Sequence, residues 1–287
     1  MDIDTLILSG GSTKGISFLG SLNYLIEKKY IDINFKNIKK ITCVSASYLF
    51  VLMLILCKYD YKYIENEIYK FNFETILDIN NISIKNLIND YGLINDNKNH
   101  IYIKNLLKEK YDIEKMSLLK LFNISNIHII VKVINISEQQ IEYIDHINNP
   151  KMNILKLLQM TTAIPILLKP ITYKGKLYLD GGLCGNCPNE INDSCNYICI
   201  DIKSNKVKKE INNIYDFLNV SWKLYDPNIL TRNYGKRDIK IDLSELNLDC
   251  SYFTLNNELK KKILDSGYNQ TKEHINHHLG PRCLPVI

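Results

Sequence analysis

The sequence predicts an α/β fold built on a parallel sheet, and three observations carry that prediction. Thr5-Leu6-Ile7-Leu8 is a short apolar run that stops at a glycine turn, and Lys39 to Val44 is a second run that stops at Ser45. Each is followed by a helical pattern, so the chain opens strand, turn, helix, strand, turn, helix. Further on, Ile127 to Ile136 and Tyr197 to Ile202 are β-branched runs of strand length with a helical pattern between them.

The elements follow in order. From Gly15 to about Lys29, the residues Phe18, Leu19, Leu22, Leu25 and Ile26 recur at helical spacing and mark one apolar face. Ala46 to Cys57 is apolar all round, which predicts a buried helix. Residues 59–120 mix polar and apolar positions with Asn-rich breaks, and read as mostly helical. Gln140 to Ile144 reads as the hairpin partner of the Ile127–Ile136 strand, and Met152 to Thr162 as a helix halted by Pro165. Lys176 to Leu179 is a strand that runs into Asp180-Gly181-Gly182. From about 211 the chain reads as helical, with an extended stretch near Ile239 to Leu243. There is no internal repeat and no Pro/Gly/Ser linker, so residues 1–287 read as one domain.

Composition narrows the function classes. Hydrophobic residues make up 46% and charged residues 23%, enough for a substantial core. A net charge of +5, with no dense basic stripe interleaved with aromatics, argues against a nucleic-acid partner. The abundance of Asn, Ile, Lys and Tyr fits an AT-rich coding sequence. The first residues, Met1-Asp2-Ile3-Asp4, carry no basic region of a secretory signal. The longest apolar run, Tyr48 to Cys57, is about half the ~20 residues of a membrane span. Eight cysteines without a secretory signal suggest free thiols in a reducing, cytoplasmic setting.

Three short segments carry chemistry. Ser9-Gly10-Gly11-Ser12-Thr13-Lys14-Gly15 lies where a buried strand meets a helix, so backbone N–H groups and the helix dipole converge on a concavity. That concavity suits an oxyanion or a phosphate. A nucleotide P-loop needs Gly-Lys-Ser/Thr, but Gly15 is followed by Ile16 and Ser17. A dinucleotide fingerprint needs glycine where Ser12 stands and an acidic residue where the next strand ends in Cys43-Val44. A plain glycine turn remains an alternative. Cys43-Val44-Ser45-Ala46-Ser47 ends a strand and opens a buried helix, as a nucleophile elbow does, with Cys43 and Ser47 at its usual glycine positions. A non-glycine residue there costs about 1 kcal/mol or more if its φ must be positive. The alternative is a serine N-cap. Asp180-Gly181-Gly182 is a strand-end turn that a hairpin alone would explain.

Together the segments resemble the patatin-like phospholipase family, which shares its catalytic fold with the cytosolic phospholipase A2 group. The family pattern is an oxyanion loop G-G-G-x-[RK]-G, an elbow G-x-S-x-G and a D-G-[GA] turn. This chain has Gly10-Gly11-Ser12-Thr13-Lys14-Gly15, then Cys43-Val44-Ser45-Ala46-Ser47, then Asp180-Gly181-Gly182, in that order. Thr161-Thr162-Ala163-Ile164-Pro165 is similar to the family's S-x-A-[IF]-P approach to its aspartate, and Asn186 and Pro188 to its exit. Leu264-Asp265-Ser266-Gly267-Tyr268 is similar to its closing G-[YW] helix. Ser12, Cys43 and Ser47 depart from the pattern by replacing three glycines.

The resemblance implies a three-layer α/β/α fold with a central, mostly parallel sheet and a variable helical insertion at about 58–125. It implies a lipid acyl hydrolase of phospholipase A2 or non-specific esterase type. Ser45 would be the nucleophile and Asp180 its base, with no catalytic histidine. Gly10, Gly11 and Ser12 would form the oxyanion hole, with Lys14, Gly15, Gly181 and Gly182 in support. Lys14 would anchor the loop, or else face a lipid phosphate. The substrate would be a phospholipid or other acyl lipid met at a membrane surface, in the host cell were the source viral. No cofactor and no metal is implied, and nothing speaks to a protein activator. The alternatives are a lipid-binding pseudoenzyme and an acyltransferase.

Two other clusters admit other chemistry. Cys184 and Cys187, with Cys195 and Cys199 behind them, have spacings that could hold zinc. Cys195 and Cys199, however, sit four apart on or beside a strand, where side chains lie far apart. His274, His277 and His278 could supply a triad histidine, but read more simply as the polar face of a closing helix.

Overall fold

The computed structural model of the chain describes residues 3–76, 82–94, 103, 112–203, 234–246, 248 and 254–280. Strand β1 (Thr5–Leu8) ends at the glycine loop, and a 3-10 turn (Ser12–Gly15) leads into α1 (Ile16–Glu27). Then come β2 (Lys40–Val44), α2 (Ala46–Leu56), α3 (Tyr61–Lys70), α4 (Ile84–Asp90), β3 (Gly92–Ile94) and α5 (Leu118–Ser125). The middle of the chain gives β4 (His128–Asn135), β5 (Gln140–Ile144), α6 (Ile154–Thr161), β6 (Ile166–Leu168), β7 (Ile171–Tyr173) and β8 (Lys176–Asp180). After 3-10 turns at Gly181–Cys184 and Asn189–Ile191, the chain adds β9 (Tyr197–Lys203), β10 (Asp238–Asp242) and α7 (Asn257–His278).

The strands form one eight-stranded sheet in the order β10-β9-β1-β2-β4-β8-β7, with β5 also on β4. β10, β9, β1, β2 and β4 are mutually parallel, while β5, β8 and β7 run antiparallel to their neighbours. This is the large, mostly parallel sheet flanked by helices that the opening pattern predicts. Leu6 and Leu8, Ile41 and Cys43, Val131 and Val133, and Ile198 and Ile200 share one buried cluster with α1, α2, α6 and α7. A β-α-β crossover is right-handed, so the successive steps β1 to β2 and β2 to β4 bring their helices to one side of the sheet. The other side meets the segment after β8: Lys132 and Cys199 project onto Cys184, Gly185 and Cys187 there.

Register explains how distant segments meet. Val44, the last residue of β2, pairs with Lys132 on β4. Asp180, the last residue of β8, pairs with Val133, the next residue along β4. β5 occupies Val131 to Asn135 and therefore the opposite edge. So β2 and β8 run toward each other along one edge of β4 and end head to head.

The local sequence explains the helix ends. Asp60, Asn153 and Asn256 cap α3, α6 and α7 by accepting from Tyr63, Leu155 and Leu259 N–H groups. α2 is buried over nearly its whole surface, as its all-round apolar sequence predicts. No helix among the described residues is long and apolar enough to cross a membrane. The strands β3, β6 and β7 are three residues each, too short for periodicity to mark. β3, which falls within the stretch read as helical, pairs with β6 in a separate two-stranded sheet. The rest of that stretch, at 77–81, 95–102 and 104–111, and the helical reading of 211–233, lie outside the described residues.

α1 and α7 cross with their backbones in contact. A Cβ added at Gly20 would lie 2.0 Å from the Leu264 carbonyl oxygen, and one at Gly267 would lie 2.0 Å from that of Ser17. Ser21 Oγ donates to the Gly267 carbonyl at 3.2 Å. This close approach, not φ, requires glycine at Gly267. Gly267→Ala forces the two backbones apart and should lower stability by about 1–3 kcal/mol, read as a lower urea midpoint; an unchanged midpoint would contradict the packing.

Candidate active site

The head-to-head ends of β2 and β8 bring Ser45 and Asp180 together. Ser45 Oγ donates to Asp180 Oδ2 at 2.6 Å across 135 residues of sequence. Ser45 has φ 57° and ψ −131°, a conformation rare outside glycine, between the strand and α2. Such a strained turn lifts a serine hydroxyl clear of the sheet and leaves it at the positive end of the following helix.

The strain is held from three directions. Ser45 N–H donates to Thr161 Oγ1 at 2.8 Å, and that hydroxyl donates to the Lys132 carbonyl at 3.0 Å. Ser47 Oγ accepts from Val44 N–H at 2.9 Å and lies 3.1 Å from the Leu8 carbonyl oxygen, tying the elbow to the end of β1. Cys43 is buried in the core, and its thiol is pushed up by desolvation. Neither Cys43 nor Ser47 is among the positive-φ residues. The strain at this elbow therefore falls on Ser45, and replacing the two flanking glycines carries no φ penalty.

Asp180 is 6% exposed. Its carboxylate accepts from Ser45 and from Gly182 N–H at 2.8 Å. Desolvation raises its pKa and the two hydrogen bonds lower it, which leaves the group pushed up to about 6. Gly181 packs so closely on β4 that an added Cβ would lie 2.4 Å from the Lys132 carbonyl oxygen. At Gly182 an added Cβ would lie 3.1 Å from Asp180 Oδ1.

The glycine loop joins this pair through Asn186. Asn186 Nδ2 donates to the Gly10 carbonyl at 2.9 Å, and Gly10 N–H donates to the Asn186 carbonyl at 2.8 Å. Gly10 N–H is therefore engaged within the fold, which removes it from the three expected oxyanion donors. What Gly10 supplies is space: an added Cβ would lie 2.4 Å from Asn186 Oδ1 and 3.4 Å from Ser45 Cβ. Gly11 N–H has no hydrogen-bond partner among the described residues. Ser12 has φ 50°, a left-handed conformation that glycine adopts without penalty. Lys14 is buried and Gly15 opens α1 with room around it.

The rival clusters lie elsewhere. Among the described residues no histidine touches Ser45 or Asp180, and His274 Nε2 lies 3.0 Å from the Lys236 carbonyl oxygen. Cys187 and Cys199 bring their sulfurs to 3.2 Å, while Cys184 and Cys195 are exposed. Among the described residues no group of three or more His, Cys, Asp or Glu side chains is placed to hold a metal ion. Sequence reasoning missed Lys132, a lone lysine in an apolar strand, and it gave Thr161 and Asn186 no role.

The family model for patatin-like phospholipase matches residues 6–192. Uncharacterized protein R571 of Acanthamoeba polyphaga mimivirus is 27% identical over 290 residues, covering 95% of this chain and 94% of that one. Probable lipid hydrolase 463L of Invertebrate iridescent virus 6 is 25% identical over 187 residues, covering 65% of this chain and 62% of that protein. Among solved structures, VipD from Legionella pneumophila has a TM-score of 0.59 at 18% identity, covering 97% of this chain and 67% of that one. The type III effector protein ExoU of Pseudomonas aeruginosa has a TM-score of 0.54 at 13% identity, covering 97% of this chain and 53% of that one. At these identities the two structures show a shared fold.

The buried carboxyl of Asp180 sets a pH dependence of stability. Its folded pKa of about 6 lies above the ordinary 3.8, so the folded state binds the extra proton between those values. Stability from this group therefore falls as pH rises from about 4 to about 6 and stays lost above. Asp180→Asn should be more stable than the parent at pH 7.5, by up to about 3 kcal/mol, and lose that advantage at pH 4. Denaturant melts at the two pH values test this; equal differences at both would exclude the raised pKa.

Proposed function

Because the chain belongs to the patatin-like phospholipase family, we propose that it is a lipid acyl hydrolase working through a Ser45–Asp180 dyad. The observation that carries the reading is the 2.6 Å hydrogen bond from the strained Ser45 to a buried, hard-to-ionise Asp180. A carboxylate of ordinary pKa is a poor base for a serine hydroxyl; one raised to about 6 by burial is a better one and is still ionised at pH 7.

In the proposed reaction Ser45 Oγ attacks the acyl carbonyl while Asp180 takes the hydroxyl proton. The tetrahedral oxyanion sits at the glycine loop, with the N–H groups of Gly11 and Ser12 as its donors, and the N-terminus of α2 adds its dipole. Asp180 then passes the proton to the departing alcohol, leaving an acyl-Ser45 ester. Water attacks that ester, Asp180 accepts a proton from it, and the carboxylic acid leaves as Ser45 recovers its hydrogen. Gly10, Gly181 and Gly182 serve by close approach, and the buried Lys14 anchors the loop opening α1.

The substrate class follows from the family: an acyl lipid, with phospholipid first, drawn from a membrane surface that the protein meets from outside. The relative named as a probable lipid hydrolase supports the same class. We further read residues 1–287 as one domain with 58–125 as its variable insertion.

A fluorogenic acyl ester and a fluorophosphonate probe test the reading. The parent chain should turn over the ester and label at Ser45, with kcat/KM rising through pH 6 to a plateau as Asp180 ionises. Ser45→Ala should abolish both, and Asp180→Asn should lower kcat by ~10³-fold or more. Absence of labelling and of turnover in the parent, with micelles or vesicles present, would make the protein a lipid-binding module instead. Transfer of the acyl group to an added alcohol in preference to water would make it an acyltransferase.

A further inference from the structure

Lys132 stands where the two halves of the site meet, yet it touches neither reacting group. Its side chain is fully buried, and its neighbours along the strand, Ile129 to Val131 and Val133 to Ile134, are apolar and β-branched. Nζ donates to the carbonyls of Cys184 at 2.8 Å and Gly185 at 3.0 Å and to Glu190 Oε1 at 2.5 Å, which uses all three ammonium hydrogens. Glu190 also accepts from the hydroxyl of Tyr143, the residue that pairs with Lys132 on β5. The backbone carbonyl of Lys132 itself accepts from Thr161, which holds Ser45 N–H. Gly181 lies against that carbonyl with no space for a Cβ.

Residue 132 thus grips the elbow through its backbone and the segment 184–190 through its ammonium group. That segment contains Asn186, which holds Gly10, and it begins four residues after Asp180. A buried lysine is costly unless fully paired, and an apolar residue would suit core packing better. Its three bonds all go to one loop, and to nothing that contributes to the main core. Stability alone is a poor explanation for such a placement.

We propose that Lys132 is a positioning residue that clamps the loop after Asp180 against β4, keeping Asp180 and the Asn186-held glycine loop in line with Ser45. The proposal rests on the hydrolase reading for its effect on rate, but the clamp itself is a physical claim about the loop. A small drift of a catalytic group is enough to cost ~10²-fold in rate.

The test compares the parent with Lys132→Met and with the double variant Lys132→Met/Glu190→Gln, which also removes the carboxylate charge left without its cation. A water-soluble acyl ester, a fluorophosphonate and amide hydrogen exchange are the readouts. In both variants kcat should fall by ~10- to 10²-fold with KM changed less than about twofold, and Ser45 labelling should slow in step. The acid limb of the kcat profile should move to lower pH as water reaches Asp180. Amides of 181–190 should exchange at least ~10-fold faster while those of α1 and α7 stay unchanged. If Lys132 merely supports folding, the double variant will recover kcat together with its melting temperature, and that result overturns the proposal. Unchanged exchange over 181–190 in the single variant, or in the double variant should the single fail to fold, overturns it too. An inactive parent would instead remove the hydrolase reading, and exchange alone would then decide whether the clamp exists.

Discussion

One edge of one strand organises this molecule. β4 accepts β2 up to Lys132 and β8 from Val133 onward, so two strands of opposite direction stop facing each other. Neither can continue without colliding. The chain must leave the sheet abruptly at both points, and it does so at Ser45, through a positive φ, and at Gly181, through a contact no side chain would permit. The meeting of Ser45 and Asp180 is therefore a consequence of register. A slip of either strand by one residue would turn its terminal side chain to the other face and separate the two groups.

The cost of this arrangement is spread over several unfavourable terms. Ser45 holds a strained backbone, Asp180 gives up solvation, and Lys132 is buried as a cation. Each such group is tolerated because a large apolar cluster, running from Ile3 to Ile275, stabilises the surrounding elements. Hydrogen bonds then select the geometry: Thr161 and Ser47 for the elbow, Gly182 for the carboxylate, Asn186 for the glycine loop. Thr161 and Ser47 are small polar side chains in buried places, Gly182 acts through its backbone N–H, and Asn186 is half-buried. There, an unpaired donor is costly and only one arrangement satisfies all of them.

Much of this was legible in the letters, and the boundary has a physical basis. The long strands and helices announced themselves because period and burial agree in them. The three segments of the site were visible because each is a local backbone device with its own glycine or serine requirement. Their meeting was not, since the contacts span 135 residues between Ser45 and Asp180 and 176 between Gly10 and Asn186. Only the resemblance to a family linked them. The concern over Cys43 and Ser47 dissolves for a related reason: the letters show that an elbow is present but not which residue carries the positive φ. Gly10 illustrates the converse. Its glycine was recognised, but its amide is occupied and its role is to make room. The short strands β3, β6 and β7 left no periodic trace because pairing, not pattern, creates them.

The backbone contact between Gly20 and Gly267 reaches beyond packing. Every residue of the site has been synthesised by position 190, but the helix that covers α1 is made only with residues 257–278. A chain extended only to position 190 holds all of these residues while the helix behind its glycine loop lacks the partner that covers it. The order of synthesis and the order of packing thus run opposite ways: a helix made after every residue of the site is the one that seats α1 behind the glycine loop.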